Sequence, residues 1–273
     1  MRIAVVAPSS RFSEQAAERV TAIAARGCPG VEIDFHPQCF LTHNHFAGDS
    51  NDRGHALVQA GNDPAVDAIW FARGGYGACR IAETAIGRMV GAAARAKVWL
   101  GYSDAGFLLG GMYRAGFSNV AHGPMPQDAM REGGEAAIER ALAWLTGRST
   151  VALEPGLEPG RRHAAFNMTV LGHLLGTPLE PHLTDHILLL EEVSEHMYAI
   201  DRTMFHITSS PNVRRAAGIR LGRVGDILPN DPDFGEDEET VVKHWCAHAG
   251  IRYLGRADIG HDSANKVVPF GLL

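Results

Sequence analysis

Three polar side chains that together could perform nucleophilic catalysis stand far apart in the chain. Ser103, Glu191 and His261 each follow an apolar run that predicts a buried strand. A serine hydroxyl needs a base to remove its proton, and that base needs a third group to fix its tautomer and balance its charge. These three residue types can fill those roles, provided that the fold brings them together.

The serine lies in the segment Leu-Gly-Tyr-Ser-Asp-Ala at residues 100–105, between two apolar runs. A strand that turns sharply into a helix at a serine can expose the hydroxyl at the tip of a sheet, with helix N–H groups beneath it. Ala105 stands where the pattern Gly-x-Ser-x-Gly has its last glycine. Taken alone, the motif is therefore more typical of an ordinary turn or a helix cap.

Composition places the chain among ordinary globular proteins. Of its 273 residues, 45% are hydrophobic and 21% charged, and the formal net charge is −6. Arginine and lysine are scattered, which argues against nucleic acid and anionic membranes as partners. The four cysteines form no Cys-x-x-Cys pair, and we find neither a signal peptide nor an apolar span of 18 residues. These features predict a cytoplasmic protein with reduced thiols.

The first part of the chain alternates strands and helices. We predict strands at 3–7, 31–35, 68–71, 98–100 and 119–121, and helices at 13–26, 52–60, 81–85 and 134–145. Such alternation favours an α/β fold in which helices cover both faces of a parallel sheet, as in Rossmann-like or flavodoxin-like domains. We assign this N-terminal domain, which carries the serine, to residues 1–148.

The character of the sequence changes after residue 148. Prolines, glycines and an Arg-Arg pair at 149–164 predict a linker. Residues 165–273 then predict a smaller α+β domain that carries the glutamate and the histidine. Its predicted strands are 186–190, 217–222 and 251–254, and its predicted helices are 199–208 and 239–249. Because parallel sheets place their sites at the carboxyl ends of strands, we expect a cleft between the two domains.

A series of different short motifs extends through most of the chain. They are Ile-Ala-Val-Val-Ala-Pro-Ser-Ser at 3–10, Ala-Arg-Gly-Gly-Tyr-Gly at 72–77, Gly-Tyr-Ser-Asp at 101–104, His-Gly-Pro-Met at 122–125, Leu-Leu-Gly-Thr-Pro at 174–178, Leu-Leu-Leu-Glu-Glu at 188–192, Gly-His at 260–261 and Val-Val-Pro-Phe-Gly at 267–271. With this series the chain resembles the LD-carboxypeptidases. That family of serine peptidases also contains the microcin C immunity peptidases.

The resemblance implies a role for each matched position. Ser103 would be the nucleophile, His261 the general base and Glu191 the acid that orients it. The backbone N–H groups of Gly75 and Asp104 would form the oxyanion hole. The implied reaction releases a terminal D-amino acid from an L-centre, usually D-alanine from a muropeptide tetrapeptide, without metal or organic cofactor. The family commonly forms dimers, so a homodimer is among the expected assemblies.

Other residues near these motifs have competing interpretations. Glu192 is the rival of Glu191, but strand alternation lets only one of the two face the histidine. We predict substrate contacts from Arg73, Gly74 and Tyr76. The Arg73 guanidinium suits a terminal carboxylate, although a salt bridge that braces its own loop is an equal alternative, and Tyr76 could line the cleft or simply pack.

Three further pairs or single residues have mainly structural interpretations. We expect His122 to be structural and Asp201 to pair with Arg202 on a helix. The segment His43-x-His45 is poor evidence for a metal site, because no cysteine or carboxylate pattern accompanies it. We therefore predict no metal site.

The sequence also departs from the family pattern. Ala165 and Phe166 stand where two glycines usually precede the motif asparagine, the interval from Ser103 to Glu191 is short, and the chain ends at Leu273, soon after Pro-Phe-Gly. Ser103, Glu191 and His261 are all still present despite these differences. The identity of the substrate is left open, because loops around the cleft set specificity.

Three alternative functions stay open. A microcin-type peptidase would need an aromatic platform for a base, and the four tryptophans stand in apparent core or helix contexts. A non-catalytic binding protein would be expected to have lost one of the three catalytic residues. A generic esterase would not need a D-configured leaving group.

Overall fold

The computed structural model describes residues 1–89 and 91–273, which form two sheets with helices between and around them. The strands are β1 (Arg2–Val6), β2 (Glu32–Phe35), β3 (Ala68–Phe71), β4 (Val98–Gly101), β5 (Val120–His122), β6 (Arg162–Asn167), β7 (His186–Val193), β8 (Gly218–Gly225), β9 (Tyr253–Arg256), β10 (Val268–Pro269) and β11 (Gly271–Leu272). The helices are α1 (Glu14–Gly27), α2 (Ser50–Asn62), α3 (Ala82–Arg88), α4 (Ala92–Ala96), α5 (Gly106–Arg114), α6 (Gly134–Gly147), α7 (Met168–Leu174), α8 (Met197–Ser209) and α9 (Glu238–Ala249).

The first sheet has the order β10-β5-β4-β3-β1-β2, and β1 to β5 run parallel. Its central strands are apolar on both faces because helices cover both sides: every residue of β3 and of β4 is buried. The α/β fold predicted for this domain is confirmed.

The second sheet has the order β11-β6-β7-β8-β9. The strands β6 to β9 all run parallel, and only β11 is antiparallel. The smaller domain therefore exists as predicted, but it is built on a parallel sheet rather than the expected α+β arrangement. The run Ile187–Leu190 is buried on both faces, as the strands of a parallel sheet are.

Side-chain caps stabilise the first turns of several helices. Ser13 accepts a hydrogen bond at the start of α1, Asn167 at the start of α7 and Asp237 at the start of α9. Asp49 and Asp52 form a capping box at the start of α2. These caps satisfy N–H groups that the first helical turn leaves without partners.

The last strands join the two sheets. Val268 in β10 pairs with His122 at the edge of the first sheet, and Gly271 in β11 pairs with His163 in the second. One cluster of buried side chains extends from α5 and β4 to α7 and β7, so the sheets share a core. The predicted linker 149–164 extends into the second sheet, because β6 already begins at Arg162.

None of the helices in the described ranges combines the length and the hydrophobicity that a bilayer crossing requires.

Candidate active site

The three candidate catalytic side chains meet at the junction of the two domains. His261 Nε2 lies 3.0 Å from Ser103 Oγ, and His261 Nδ1 lies 2.5 Å from Glu191 Oε2. An ionised carboxylate can only accept a hydrogen bond, so Nδ1 donates to Glu191 and Nε2 is left to accept from the serine hydroxyl. This is the geometry of a nucleophile, a base and an orienting acid.

The serine stands in a strained turn directly after β4. Its backbone φ is 58°, a left-handed value that few residues other than glycine adopt. Ser103 begins a short 3-10 turn that leads into α5, and its side chain is only half-buried. The strand-to-helix turn predicted from the sequence is thus present. Strain of this kind persists where the surrounding structure holds the residue in place.

Two glycines allow the loop after β3 to approach the serine closely. A Cβ atom on Gly74 would lie 2.6 Å from Ser103 Oγ, and a Cβ on Gly75 would lie 2.2 Å from Ser10 Oγ. Gly75 also has a positive φ of 112°. No residue larger than glycine fits at either position without displacing its neighbours.

The two adjacent glutamates lie at the end of β7 in different surroundings. Glu191 is fully buried and holds His261. Within the described part of the chain its Oε1 atom has no hydrogen-bond partner. Glu192 accepts from Asn167 Nδ2 at 2.5 Å and from the backbone N–H and hydroxyl of Thr169, each at 2.8 Å. Glu192 therefore holds the start of α7, and only Glu191 contacts His261.

The histidine lies on the loop between β9 and β10. The Arg223 guanidinium pairs with Asp258 at 2.5 Å and also with Asp262. These two aspartates precede and follow His261 in the sequence. Asn265, fully buried, accepts from the Gly260 N–H at 3.2 Å. Side chains of the second domain and of the loop itself thus fix the position of His261.

Burial and neighbouring charges shift the pKa of His261 in opposite directions. Burial lowers its pKa, but the charge of Glu191 and the hydrogen bond to it outweigh burial, so the pKa lies above its ordinary value of 6.5. Burial lowers the pKa of the neighbouring His122 to about 4. His122 is therefore neutral at physiological pH, which agrees with its predicted structural role.

An open cleft of about 560 Å³ lies in front of these groups. Its lining includes Tyr76, half-exposed, and Phe107 on the first domain, with His173 and Glu195 on the second. Arg73 is not part of this lining, since its Nη1 donates to the carbonyl of Arg11 at 3.2 Å. Its predicted contact with a substrate carboxylate stays a prediction.

The expected ion pair between Asp201 and Arg202 is replaced by other contacts. Asp201 accepts from Trp245 Nε1 at 2.8 Å, and the Arg202 guanidinium lies over the ring of Tyr198, so within the described residues these neighbours form no ion pair with each other. A cation–π contact within α8 and a hydrogen bond from the Trp245 indole of α9 take the place of that pair.

Residues 1–89 and 91–273 contain no group of three or more His, Cys, Asp or Glu side chains arranged to hold a metal ion. His45 instead lies 3.4 Å from Ser10 Oγ and packs near the ring of Tyr76.

Comparison with known proteins places this arrangement in a family. The model of the LD-carboxypeptidase N-terminal domain matches residues 3–123, and that of the LD-carboxypeptidase C-terminal domain matches residues 163–273. The chain belongs to the LD-carboxypeptidase family. It is accordingly a serine-type carboxypeptidase, and the resemblance inferred from the sequence motifs is confirmed.

Individual relatives agree with this assignment. The chain is similar to the murein tetrapeptide carboxypeptidase of Pseudomonas aeruginosa, with 26% identity over 99% of this chain and 91% of that protein. Its fold is similar to that of the muramoyltetrapeptide carboxypeptidase from Oxalobacter formigenes (TM-score 0.81, 20% identity, 99% and 93% of the two chains). It is also similar to MccF solved with glutamyl sulfamoyl guanosine (TM-score 0.80, 16% identity, 99% and 91%).

Sequence reasoning missed several residues around the site of this carboxypeptidase. Thr169 and Cys79 line the cleft, and the carboxylate of Asp104 holds two loops together behind the serine. Asn167 was recognised as the motif asparagine, but its role as the cap of α7 was not. The partners of Asp104 have no local signal, because Ser9 is distant in the sequence and contributes only its hydroxyl.

Proposed function

We propose that this carboxypeptidase removes the C-terminal D-alanine of a murein tetrapeptide, with Ser103 as nucleophile, His261 as general base and Glu191 as the acid that orients it. The observation that carries the proposal is the continuous hydrogen-bond relay from Ser103 Oγ through the imidazole to Glu191 at the floor of an open cleft. Relays of this type activate serine in unrelated hydrolases.

The proposed reaction has two stages. His261 Nε2 takes the proton of Ser103 Oγ as that oxygen attacks the carbonyl carbon of the L-residue. The tetrahedral intermediate collapses, the C–N bond breaks, and His261 gives the proton to the leaving D-alanine amine. In the second stage His261 takes a proton from a water molecule, whose oxygen attacks the ester carbonyl carbon. The bond to Ser103 Oγ then breaks, His261 returns the proton to that oxygen, and the shortened peptide leaves.

The oxyanion of this intermediate requires two backbone N–H donors. We assign the oxyanion hole to Gly75 and Asp104. The Gly75 N–H has no hydrogen-bond acceptor within residues 1–89 and 91–273, and its loop abuts Ser103. The Asp104 N–H follows the serine at the start of α5, where the helix dipole favours negative charge.

The experiment uses a stem tetrapeptide and its epimer that differs only at the C-terminal alanine. Mass spectrometry measures alanine release by the unmutated enzyme, by Ser103→Ala and by Ser118→Ala, an exposed serine outside the cleft. We expect release only from the D-epimer, and only by the unmutated and Ser118→Ala enzymes. Hydrolysis of both epimers would contradict the stereochemical assignment, and an active Ser103→Ala would contradict the nucleophile.

A second candidate is hydrolysis of an aminoacyl nucleotide mimic, the type of ligand bound to MccF. The observation that favours it is Tyr76, whose half-exposed ring lines the cleft beside His45 and Phe46. Such a ring can stack on a nucleobase. This candidate predicts that aminoacyl sulfamoyl adenosine is hydrolysed and that Tyr76→Ala raises its KM at least tenfold. Hydrolysis of the tetrapeptide alone eliminates it.

A further inference from the structure

Two buried side chains of opposite charge bridge the same pair of loops next to the candidate nucleophile. One loop follows β1 and contains Pro8 and Ser9; the other is the glycine loop that ends at Gly77 and Ala78. The bridging residues come from other elements, Asp104 from the turn after β4 and Arg53 from α2. We call these four loop residues, together with Asp104 and Arg53, the loop clamp.

The carboxylate half of the clamp is nearly inaccessible to solvent. Asp104 Oδ2 accepts the hydroxyl of Ser9 at 2.5 Å and the backbone N–H of Ala78 at 2.8 Å. Asp104 is 4% exposed, and Ser9 and Ala78 are fully buried. Hydrogen bonds to a buried carboxylate are strong, and loss of one partner leaves a costly unsatisfied group.

The guanidinium half holds the neighbouring residues of the same loops. Arg53 Nη1 donates to the carbonyl of Pro8 at 2.6 Å and to that of Gly77 at 2.8 Å. Arg53 is itself only 1% exposed. Each loop is therefore held by a donor and by an acceptor at adjacent residues, Pro8 with Ser9 and Gly77 with Ala78.

The clamp holds the segment that carries one of the oxyanion donors. Gly74 and Gly75 lie between β3 and the clamped residues Gly77 and Ala78, and Gly75 is in close contact with Ser10. The same residue that supplies the clamp carboxylate, Asp104, supplies the other proposed donor through its backbone. A shift of either loop would change the separation of the two N–H groups.

We propose that Asp104 and Arg53 act through their side chains as positioning residues that preset the oxyanion hole. This inference rests on the proposed function of Ser103 and Gly75. The clamp side chains do not take part in proton transfer; they hold the Gly75 N–H where negative charge develops in the transition state. Preset donors of this kind accelerate reactions because they need no rearrangement when the charge forms.

The test separates transition-state binding from ground-state binding. Variants Asp104→Asn, Ser9→Ala and Arg53→Lys are assayed for kcat and KM on the D-alanine tetrapeptide. They are also assayed for affinity toward a peptidyl boronic acid whose boron replaces the scissile carbonyl carbon, and toward the tripeptide product. We expect kcat and boronate affinity to fall together, about 10- to 100-fold for Asp104→Asn, with KM and product affinity within twofold.

A matched control distinguishes positioning from general stability. Lys97, almost fully buried, donates to the carbonyls of Asp63 at 2.8 Å and Val66 at 2.7 Å at the opposite end of β4. Lys97→Met should lower the Tm and leave kcat and boronate affinity unchanged. If a clamp variant shows the same pattern as this control, the inference is wrong.

Ser9→Ala keeps the inference testable if Asp104→Asn fails to fold, because it removes one hydroxyl and little volume. A folded Ser9→Ala enzyme with unchanged kcat and boronate affinity overturns the proposal. The Ser103→Ala variant in the same assays distinguishes failure of the proposed function from failure of the clamp inference. Retained activity there refutes the proposed nucleophile, whereas an inactive Ser103→Ala beside fully active clamp variants refutes only the clamp.

Discussion

At the scale of single residues, neighbours of the same type have different surroundings. Glu191 contacts the imidazole of His261, while Glu192 accepts hydrogen bonds that fasten the start of α7. Burial and the charge of Glu191 raise the pKa of Glu192, and its hydrogen bonds with Val193, Thr169 and Asn167 oppose that shift. One carboxylate thus binds the imidazole and the other binds the helix start.

This difference predicts opposite outcomes for two isosteric substitutions. Glu191→Gln should lower kcat by about 10³- to 10⁴-fold with little change in Tm, since the amide does not stabilise the imidazolium that forms during the reaction. Glu192→Gln should mainly lower the Tm and reduce kcat less than tenfold. Alanine release and thermal unfolding measure the two effects. The reverse order would assign the orienting role to Glu192.

The pKa of His261 predicts the acid limb of the pH profile. A general base acts in its neutral form, and the pKa of His261 lies above 6.5. The value of kcat/KM should therefore rise with pH through a midpoint above 6.5. Glu191→Gln removes the largest charge that opposes burial and leaves only the smaller effects of Glu192 and Asp128, so the residual activity should have its midpoint at lower pH. A midpoint that does not move would contradict the coupling of the two groups.

At the scale of elements, the loop between β9 and β10 sets the position of His261, the proposed general base. Arg223 pairs with Asp258 and Asp262 on either side of His261, and all three groups are partly exposed. Partly exposed pairs contribute little to the stability of the whole protein. Their effect should therefore be seen in catalysis rather than in unfolding.

Removal of the Arg223 charge tests this role. Arg223→Met should lower kcat about tenfold, because the histidine loop loses both ion pairs, while the free energy of unfolding changes by about 1 kcal/mol or less. Arg26→Met is the control, since the pair of Arg26 with Glu135 is exposed and lies outside the cleft. Equal kcat values for the two variants would show that the loop holds its shape without Arg223.

Strong apolar patterns made most elements predictable from the sequence. The run 187–190 and the strand 68–71 are buried on both faces, and apolar runs this short favour a buried strand over a helix. The strand β6 was missed because the linker was drawn to residue 164, on the evidence of nearby prolines and glycines and the Arg-Arg pair. The short strands β10 and β11 exist only through long-range pairing, which leaves no local period.

The sequence indicated the residues at the centre of the candidate site but not those that support them. Strand ends and family motifs indicated Ser103, Glu191 and His261, and the structure brings these three together. The roles of Arg53 and Ser9 could not be predicted, because buried polar side chains that bridge distant loops resemble any surface residue in the sequence. Such partners become visible only when the loops are placed beside one another.

At the scale of the whole molecule, the last strands hold the two sheets together through a shared aromatic core. Phe270 lies between β10 and β11 and is 5% exposed. Its ring centroid lies 5.0 Å from that of Phe166 and 5.7 Å from that of Tyr113. The two domains are therefore expected to unfold together.

Phe270→Ala tests this coupling. Loss of a buried phenylalanine should reduce the free energy of unfolding by about 3–5 kcal/mol. Leu272 is 68% exposed, so Leu272→Ala should change the free energy of unfolding by no more than about 0.5 kcal/mol. Urea unfolding followed by fluorescence and circular dichroism measures both. Two separate transitions in the unmutated protein would show that the domains are independent.

The order of the three proposed catalytic residues along the chain has a consequence for biosynthesis. Ser103 is translated first, Glu191 next and His261 last, and the strand β10 that follows His261 closes the edge of the first sheet. Domains tend to fold in order as they leave the ribosome, so the first domain of a nascent chain contains Ser103 without His261. With His261 as the proposed base, hydrolytic activity is acquired only after β10 has emerged and paired with the first sheet.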